Sequence, residues 1–106
     1  MSANEKRRHP RLSIFSAALI TCDGKGWLSE VRDLSQGGAR LGRPSTWNDA
    51  SVRDCRVYFI FDQETVIAVD AHCVRDGNED LGFEFVAGQE SSVDALLYES
   101  RFLDQD

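Results

Sequence analysis

Two short constellations in this chain combine residue types that recognise anions and purines. The first is Arg7-Arg8-His9-Pro10-Arg11, an RxxxR spacing. A guanidinium donates two parallel hydrogen bonds to a phosphate or to the O6/N7 edge of guanine, and its flat face stacks on a purine. The second is Asp33-Leu34-Ser35-Gln36-Gly37-Gly38, a DxSxxG spacing. A carboxylate accepts from guanine N1–H and N2–H2, an adjacent donor pair that adenine lacks. A serine hydroxyl adds a further bond, and the glycine permits a positive φ or a close backbone approach. With ten arginines in the chain, an RxxxR arises about once by chance and says nothing alone. DxSxxG, drawn from eleven Asp, ten Ser and eight Gly, arises only about 0.07 times, so it carries more weight. The plainer alternatives are a solvated basic tail for the first and an Asx-turn with a left-handed Gly38 for the second.

Other chemistries find less support. The two histidines are His9, beside the arginines, and His72, inside an apolar segment. Neither is expected to be catalytic, and no Ser-His-Asp arrangement, carboxylate dyad or glycine-rich phosphate loop is suggested. Cys22, Cys55 and Cys73 are odd in number and lack CxxC or Cys-His zinc spacing. They read as small buried hydrophobes in a reducing compartment, with no metal site. The basic stretch before Leu12–Cys22 has the outline of a bacterial leader, but Ser13 and Ser16 interrupt the apolar run and Thr21 is large for the position before a cleavage-site cysteine. The same residues read as a strand, which is the expectation.

The elements that must position these residues are short. The 106 residues make one domain with one core, with 42% hydrophobic and 28% charged residues, the balance of a soluble globular protein. The longest purely apolar run, Val57–Phe61, is far below the roughly 20 residues of a membrane span, so no membrane insertion is expected. Residues 1–11 carry four basic side chains against one acidic, whereas the other 95 carry eight basic and seventeen acidic. An acidic body repels duplex phosphates from most faces, so DNA is not an expected partner. Residues 1–11 read as a flexible basic arm and 12–103 as the folded domain.

Strands are predicted at Leu12–Cys22, Trp27–Val31, Ala39–Leu41, Cys55–Phe61, Thr65–Val74 and Leu81–Val86, rich in β-branched and aromatic residues. Turns fall at Asp23–Gly26, Ser35–Gly38, Asp62–Glu64 and Asp76–Asn78, with a loop at Gly42–Asp49. Trp27, Ser29 and Val31 share one strand face, as do Phe83 and Phe85. Near the C-terminus the apolar period changes to that of a helix, with Val93, Leu96 and Leu97 on one face and Ser91 or Ser92 as its cap. The expected fold is mainly β: a six-stranded antiparallel barrel with a C-terminal α-helix.

The order RxxxR, strand hairpin, DxSxxG resembles the PilZ domain, a bacterial receptor family for cyclic di-GMP built as such a barrel. The resemblance spans about residues 6 to 103 and includes Leu81-Gly82-Phe83-Glu84-Phe85, similar to the family's last strand. It implies that Arg7 and Arg11 hold guanine edges and phosphates, with Arg8 and Lys6 accessory. Asp33 and Ser35 would read a guanine, and Gly38 would shape the bend. In some members an aromatic residue on the strand before the final turn lies against the ligand; the corresponding position here is Cys73. Whether Arg40 faces the site stays open. The implied function is a cytoplasmic receptor or adaptor, not an enzyme and needing no cofactor. It would change conformation on binding cyclic di-GMP and signal to an unidentified downstream protein. The rivals are a PilZ-like interaction module that binds no nucleotide and a small barrel for single-stranded nucleic acid, the latter disfavoured by the acidic body.

Overall fold

A computed structural model describes residues 17–47 and 54–101. The Arg7, Arg8 and Arg11 assignments, the arm and its boundary at residue 11 therefore lie outside the described residues. Six strands are described, β1 (Ala17–Cys22), β2 (Lys25–Leu34), β3 (Gly38–Gly42), β4 (Asp54–Ile60), β5 (Val66–Asp76) and β6 (Asp80–Phe85), followed by α1 (Glu90–Ser100). They close into a barrel in the order β1-β2-β3-β6-β5-β4, with β4 pairing back onto β1. Every pairing is antiparallel, as expected. β1 is flanked on both sides, so Ala17–Cys22, the described part of the stretch with a leader-like outline, forms a wall strand.

Strand alternation builds the core. Ala18, Ile20 and Cys22 face inward from β1, Cys55, Val57 and Phe59 from β4, and Leu81 and Phe83 from β6. Val93 and Leu96 bury the inner stripe of α1. The β1–β2 hairpin turns on two residues only, Asp23 and Gly24, at φ 52° and 80°. Two positive φ values give the primed turn whose twist matches the strands it joins, and Cys22 faces Lys25 as the last pair. Between β4 and β5 the Asp62 carboxylate accepts the Glu64 and Thr65 N–H groups at 2.8 Å each.

One expectation needs correction. Neither Ser91 nor Ser92 caps the helix: α1 begins at Glu90, with Gln89 at the cap position and no side-chain cap bond. The Gln89 amide instead serves the sheet. Its Nε2 donates to the Asp70 and Val86 carbonyls at 2.9 and 2.8 Å, and its Oε1 accepts the Asp70 N–H at 2.7 Å. This tertiary tie fixes where the chain leaves β6, which overrides the local preference of serine for a cap. The described part of the loop after Gly42 is irregular as expected, and it carries one buried side chain. Trp47 is 2% exposed and packs against Trp27 with ring centroids 4.7 Å apart and planes tilted by 59°, and edge-on to Phe83 at 6.5 Å. Arg43 holds this segment by donating to the Trp47 carbonyl at 2.9 Å and by pairing with Asp76.

Candidate functional site

The barrel's outer wall is decided by two one-residue irregularities. Along β2–β3, Val31 pairs with Leu41 but Asp33 pairs with Arg40, so Arg32 is an extra residue on β2. Along β5–β6, Cys73 pairs with Phe83 but Arg75 pairs with Gly82, so Val74 is an extra residue on β5. Strict alternation would turn Asp33 inward with Val31 and Arg75 inward with Cys73. Each bulge reverses the facing of the residues beyond it. The result is one cross-strand row on the outer face, Asp33–Arg40–Gly82–Arg75, running over β2, β3, β6 and β5.

Asp33 is exposed, and its carboxylate has no hydrogen-bond or ion-pair partner among the described residues. Ser35 is two residues on, at the bend. Its hydroxyl accepts the Gly38 N–H at 3.2 Å and lies 3.3 Å from the Gly38 carbonyl, which also accepts the Ser35 N–H at 2.9 Å. Ser35 thus closes its own turn and holds Asp33 at the rim. Gly38 is not in the left-handed region; among the described residues only Asp23, Gly24 and Gly88 have positive φ. Its requirement is contact. A Cβ at Gly38 would sit 2.1 Å from the Phe83 carbonyl oxygen and 3.3 Å from the Glu84 Cα. Of the two roles that chemistry allows this glycine, close approach of β3 to β6 is the one realised.

Arg40 belongs to the row. Its Nη1 donates to Asp80 Oδ2 at 2.8 Å, while Arg75 Nη2 donates to Asp80 Oδ1 at 3.1 Å. Two guanidinium groups from strands on either side of β6 thus share one carboxylate. The Asp80 side chain is 16% exposed, against 43% for Arg40 and 60% for Arg75. The hydrogen bond from Arg40 holds the Asp80 carboxyl below the usual carboxylate range, against the opposing effect of desolvation and helped by the charges of Arg75 and Arg40. Gly82 leaves the wall bare between them, and Arg75 folds across the gap, its Cβ 3.2 Å from where a Gly82 Cβ would be. Arg75 and Asp80 gave no signal in the sequence, because neither belongs to a recognisable spacing. Cys73, which the resemblance sets at the position of a ligand-facing aromatic, packs against the core; Arg75 is what β5 offers to the outer row.

Next to this row a shallow groove of about 500 Å³ is lined by Ala17, Ser29, Glu30, Arg32, Gly42 and Arg43, among others. Ala17, the first described residue, lies opposite Glu30. The described residues therefore begin beside the strand that carries Asp33.

Among the described residues His72, Cys22 and Cys55 are occupied or silenced. His72 hydrogen-bonds Asp54 at 2.7 Å across β4–β5, on the exposed face of the pair. Burial pushes the Cys55 thiol up to about 12, and burial followed by the charge of Asp23 raises Cys22. Both stay protonated at neutral pH, which is the wrong state for a nucleophile or a metal ligand. Among the described residues no group of three His, Cys, Asp or Glu side chains is arranged to hold a metal ion. No helix among them is long and apolar enough to cross a membrane.

The family model for the PilZ domain matches residues 5–99. The chain belongs to the PilZ domain family. Among solved structures it is similar to the PilZ domain of CeSA from a cellulose-synthesizing bacterium, with a TM-score of 0.67 and 24% identity over 82% of this chain and 93% of that one. An uncharacterized Legionella protein aligns with a TM-score of 0.55 and 13% identity over 82% of this chain and 86% of that one. At these identities the likeness is one of fold, and it agrees with the closed PilZ barrel described above. No curated protein matches the chain.

Proposed function

We propose that this PilZ domain is a cytoplasmic receptor for cyclic di-GMP, a binding module without catalytic chemistry, which relays the ligand to a protein partner. The observation that carries the reading is the outer row. It sets an exposed Asp33 carboxylate, without a partner among the described residues, in one row with two arginines and the Gly82 gap. Asp33 accepts from guanine N1–H and N2–H2, Ser35 adds its hydroxyl, and Gly38 keeps the bend tight enough for both. Arg7 and Arg11 close on the phosphates and the other guanine edge, with Arg8 accessory.

Chain geometry supports that closure. β1 is antiparallel to β2, and Ala17 faces Glu30. Ala17, the first described residue, therefore lies at the end of β1 nearer to Asp33. From Ala17 the distance is about 11 Å: three residues along β2 and one strand across. The six residues from Arg11 to Ala17 can span about 20 Å. Fixing a leader residue costs about 1–2 kcal/mol. A charge-assisted hydrogen bond of about 1.5–3 kcal/mol offsets this only where one is made. Arg7 and Arg11 must therefore carry the closure, and the leader's new position is the signal a partner reads.

Calorimetric titration tests the reading. The wild-type chain is expected to bind cyclic di-GMP and to prefer it to cyclic di-AMP, whose adenines lack the donor pair read by Asp33. Arg11→Ala and Asp33→Ala should each lose binding while melting like wild type. No heat from the wild-type protein, or unchanged affinity in both variants, would sink the assignment and leave an interaction module that needs no nucleotide.

A further inference from the structure

The Arg40–Asp80–Arg75 cluster lies outside both motifs, yet its two arginines sit in the same row as Asp33. We propose that Arg40 and Arg75 form a phosphate subsite, and that Asp80 occupies it in the unliganded barrel as a built-in competing anion. For cyclic di-GMP the inference rests on the receptor reading above.

Three observations carry it. The two guanidinium groups bind opposite oxygens of one carboxylate, Oδ2 at 2.8 Å and Oδ1 at 3.1 Å. A phosphodiester presents the same pattern, two anionic oxygens on one centre, so it can replace the carboxylate without moving either arginine far. The carboxylate lies low in the wall while both arginines are substantially exposed. An incoming anion therefore meets the donors first. Gly82 separates the two arginines along the row, and Arg75 alone folds over the space its missing side chain leaves. Swinging Arg75 outward uncovers bare backbone one strand from Arg40 and two from Asp33. An ion pair serving only stability needs neither this exposure nor the glycine gap. Arg43, by contrast, is tied to Asp76, Gly77 and Trp47 and anchors its loop.

Binding at this subsite exchanges one anion for another: Asp80 gives up two ion pairs and the ligand phosphate takes them. Asp80 thereby lowers affinity, and removing its charge while keeping its shape should raise it. The test titrates wild type, Asp80→Asn and Asp80→Asn/Arg75→Ala with cyclic di-GMP and, separately, with inorganic pyrophosphate. The Gly82 amide shift reports occupancy of the gap. Asp80→Asn is expected to bind both anions about three- to tenfold more tightly, the scale of releasing two partly exposed ion pairs, and the added Arg75→Ala should erase the gain. Equal or weaker binding by Asp80→Asn would overturn the inference and make Asp80 a residue that merely orients the arginines. If no protein binds cyclic di-GMP, the receptor reading fails, and the pyrophosphate arm still decides this one by the same comparison. A measurement on the wild type covers the case in which the variant does not fold. With saturating pyrophosphate the Asp80 carboxyl carbon should titrate at higher pH than without it, because its arginines have been taken; an unmoved titration would overturn the proposal.

Discussion

Gly37 and Gly38 are neighbours in one bend, and the same substitution should affect them very differently. A methyl group at Gly38 would lie 2.1 Å from the Phe83 carbonyl oxygen, well inside ordinary contact. The obstacle is backbone on both sides, so no side chain can rotate away. β3 must separate from β6 at its first pair, Gly38 with Glu84, and the adjoining bond from the Phe85 N–H to the Gly37 carbonyl, 2.9 Å long, is strained or lost. Overpacking of this kind costs about 1–3 kcal/mol, and each weakened backbone bond adds about 0.5–1.5 kcal/mol. The sum for Gly38→Ala is roughly 2–4 kcal/mol, which in a domain of this size lowers the melting temperature by roughly 10–20 °C. Gly37 has nothing within 4 Å of its missing Cβ and no positive φ. Gly37→Ala should therefore stay within about 0.5 kcal/mol of wild type. Thermal and urea unfolding followed by circular dichroism measures both. A Gly38→Ala protein that melts within about 2–3 °C of wild type, roughly half a kcal/mol, would refute the close-approach reasoning.

Three further outcomes stem from the packing and the charges. Trp47→Ala should cost about 3–5 kcal/mol, because Trp47 is 2% exposed and packs against Trp27; urea unfolding monitored by the fluorescence of Trp27 reads it, and a loss below about 1 kcal/mol would mean the loop does not seal the core. Asp70 and Asp80 are held below the usual carboxylate range, chiefly by hydrogen bonds from Arg56 and Arg40 respectively. Folded values below the unfolded one mean that their contribution is present above about pH 4. It is lost as pH falls through the folded values, so Asp70→Asn and Asp80→Asn should each flatten the acid limb of a stability-against-pH curve, and an unchanged limb contradicts the pairing. With its thiol pushed up to about 12, Cys55 should resist alkylation by iodoacetamide at mildly alkaline pH in the folded protein, whereas half-buried Cys73 labels first. Mass spectrometry of native and urea-unfolded samples measures the difference, and rapid native labelling of Cys55 would contradict it.

Local patterns made much of the barrel legible. Alternation in Cys55–Phe61 and Leu81–Val86 identified strands and their inward faces, because a pleat turns successive side chains to opposite sides whatever the partner strand is. Asp23-Gly24 identified a hairpin, because few residues tolerate two positive φ values in succession. Asp33, Ser35 and Gly38 stood out because their combination is rare. The Ser91/Ser92 cap failed because a glutamine amide found three backbone partners on β5 and just past β6, which no local propensity contains. Trp47 was missed because a lone aromatic in a Gly- and Pro-containing loop has no period to betray its burial.

By itself, then, the order of residues determined the strand set, the hairpin, the helix stripe and the DxSxxG spacing. Those depend on interactions within a few residues. Tertiary structure alone decided that Asp33, Arg40, Gly82 and Arg75 form one outward row and that Asp80 joins the two arginines. A bulge is a mismatch in length between two paired strands, so Arg32 and Val74 become extra residues only once β2 has met β3 and β5 has met β6. The face presented by everything beyond each bulge is therefore a property of the pairing, and it is that face which brings the four residues together.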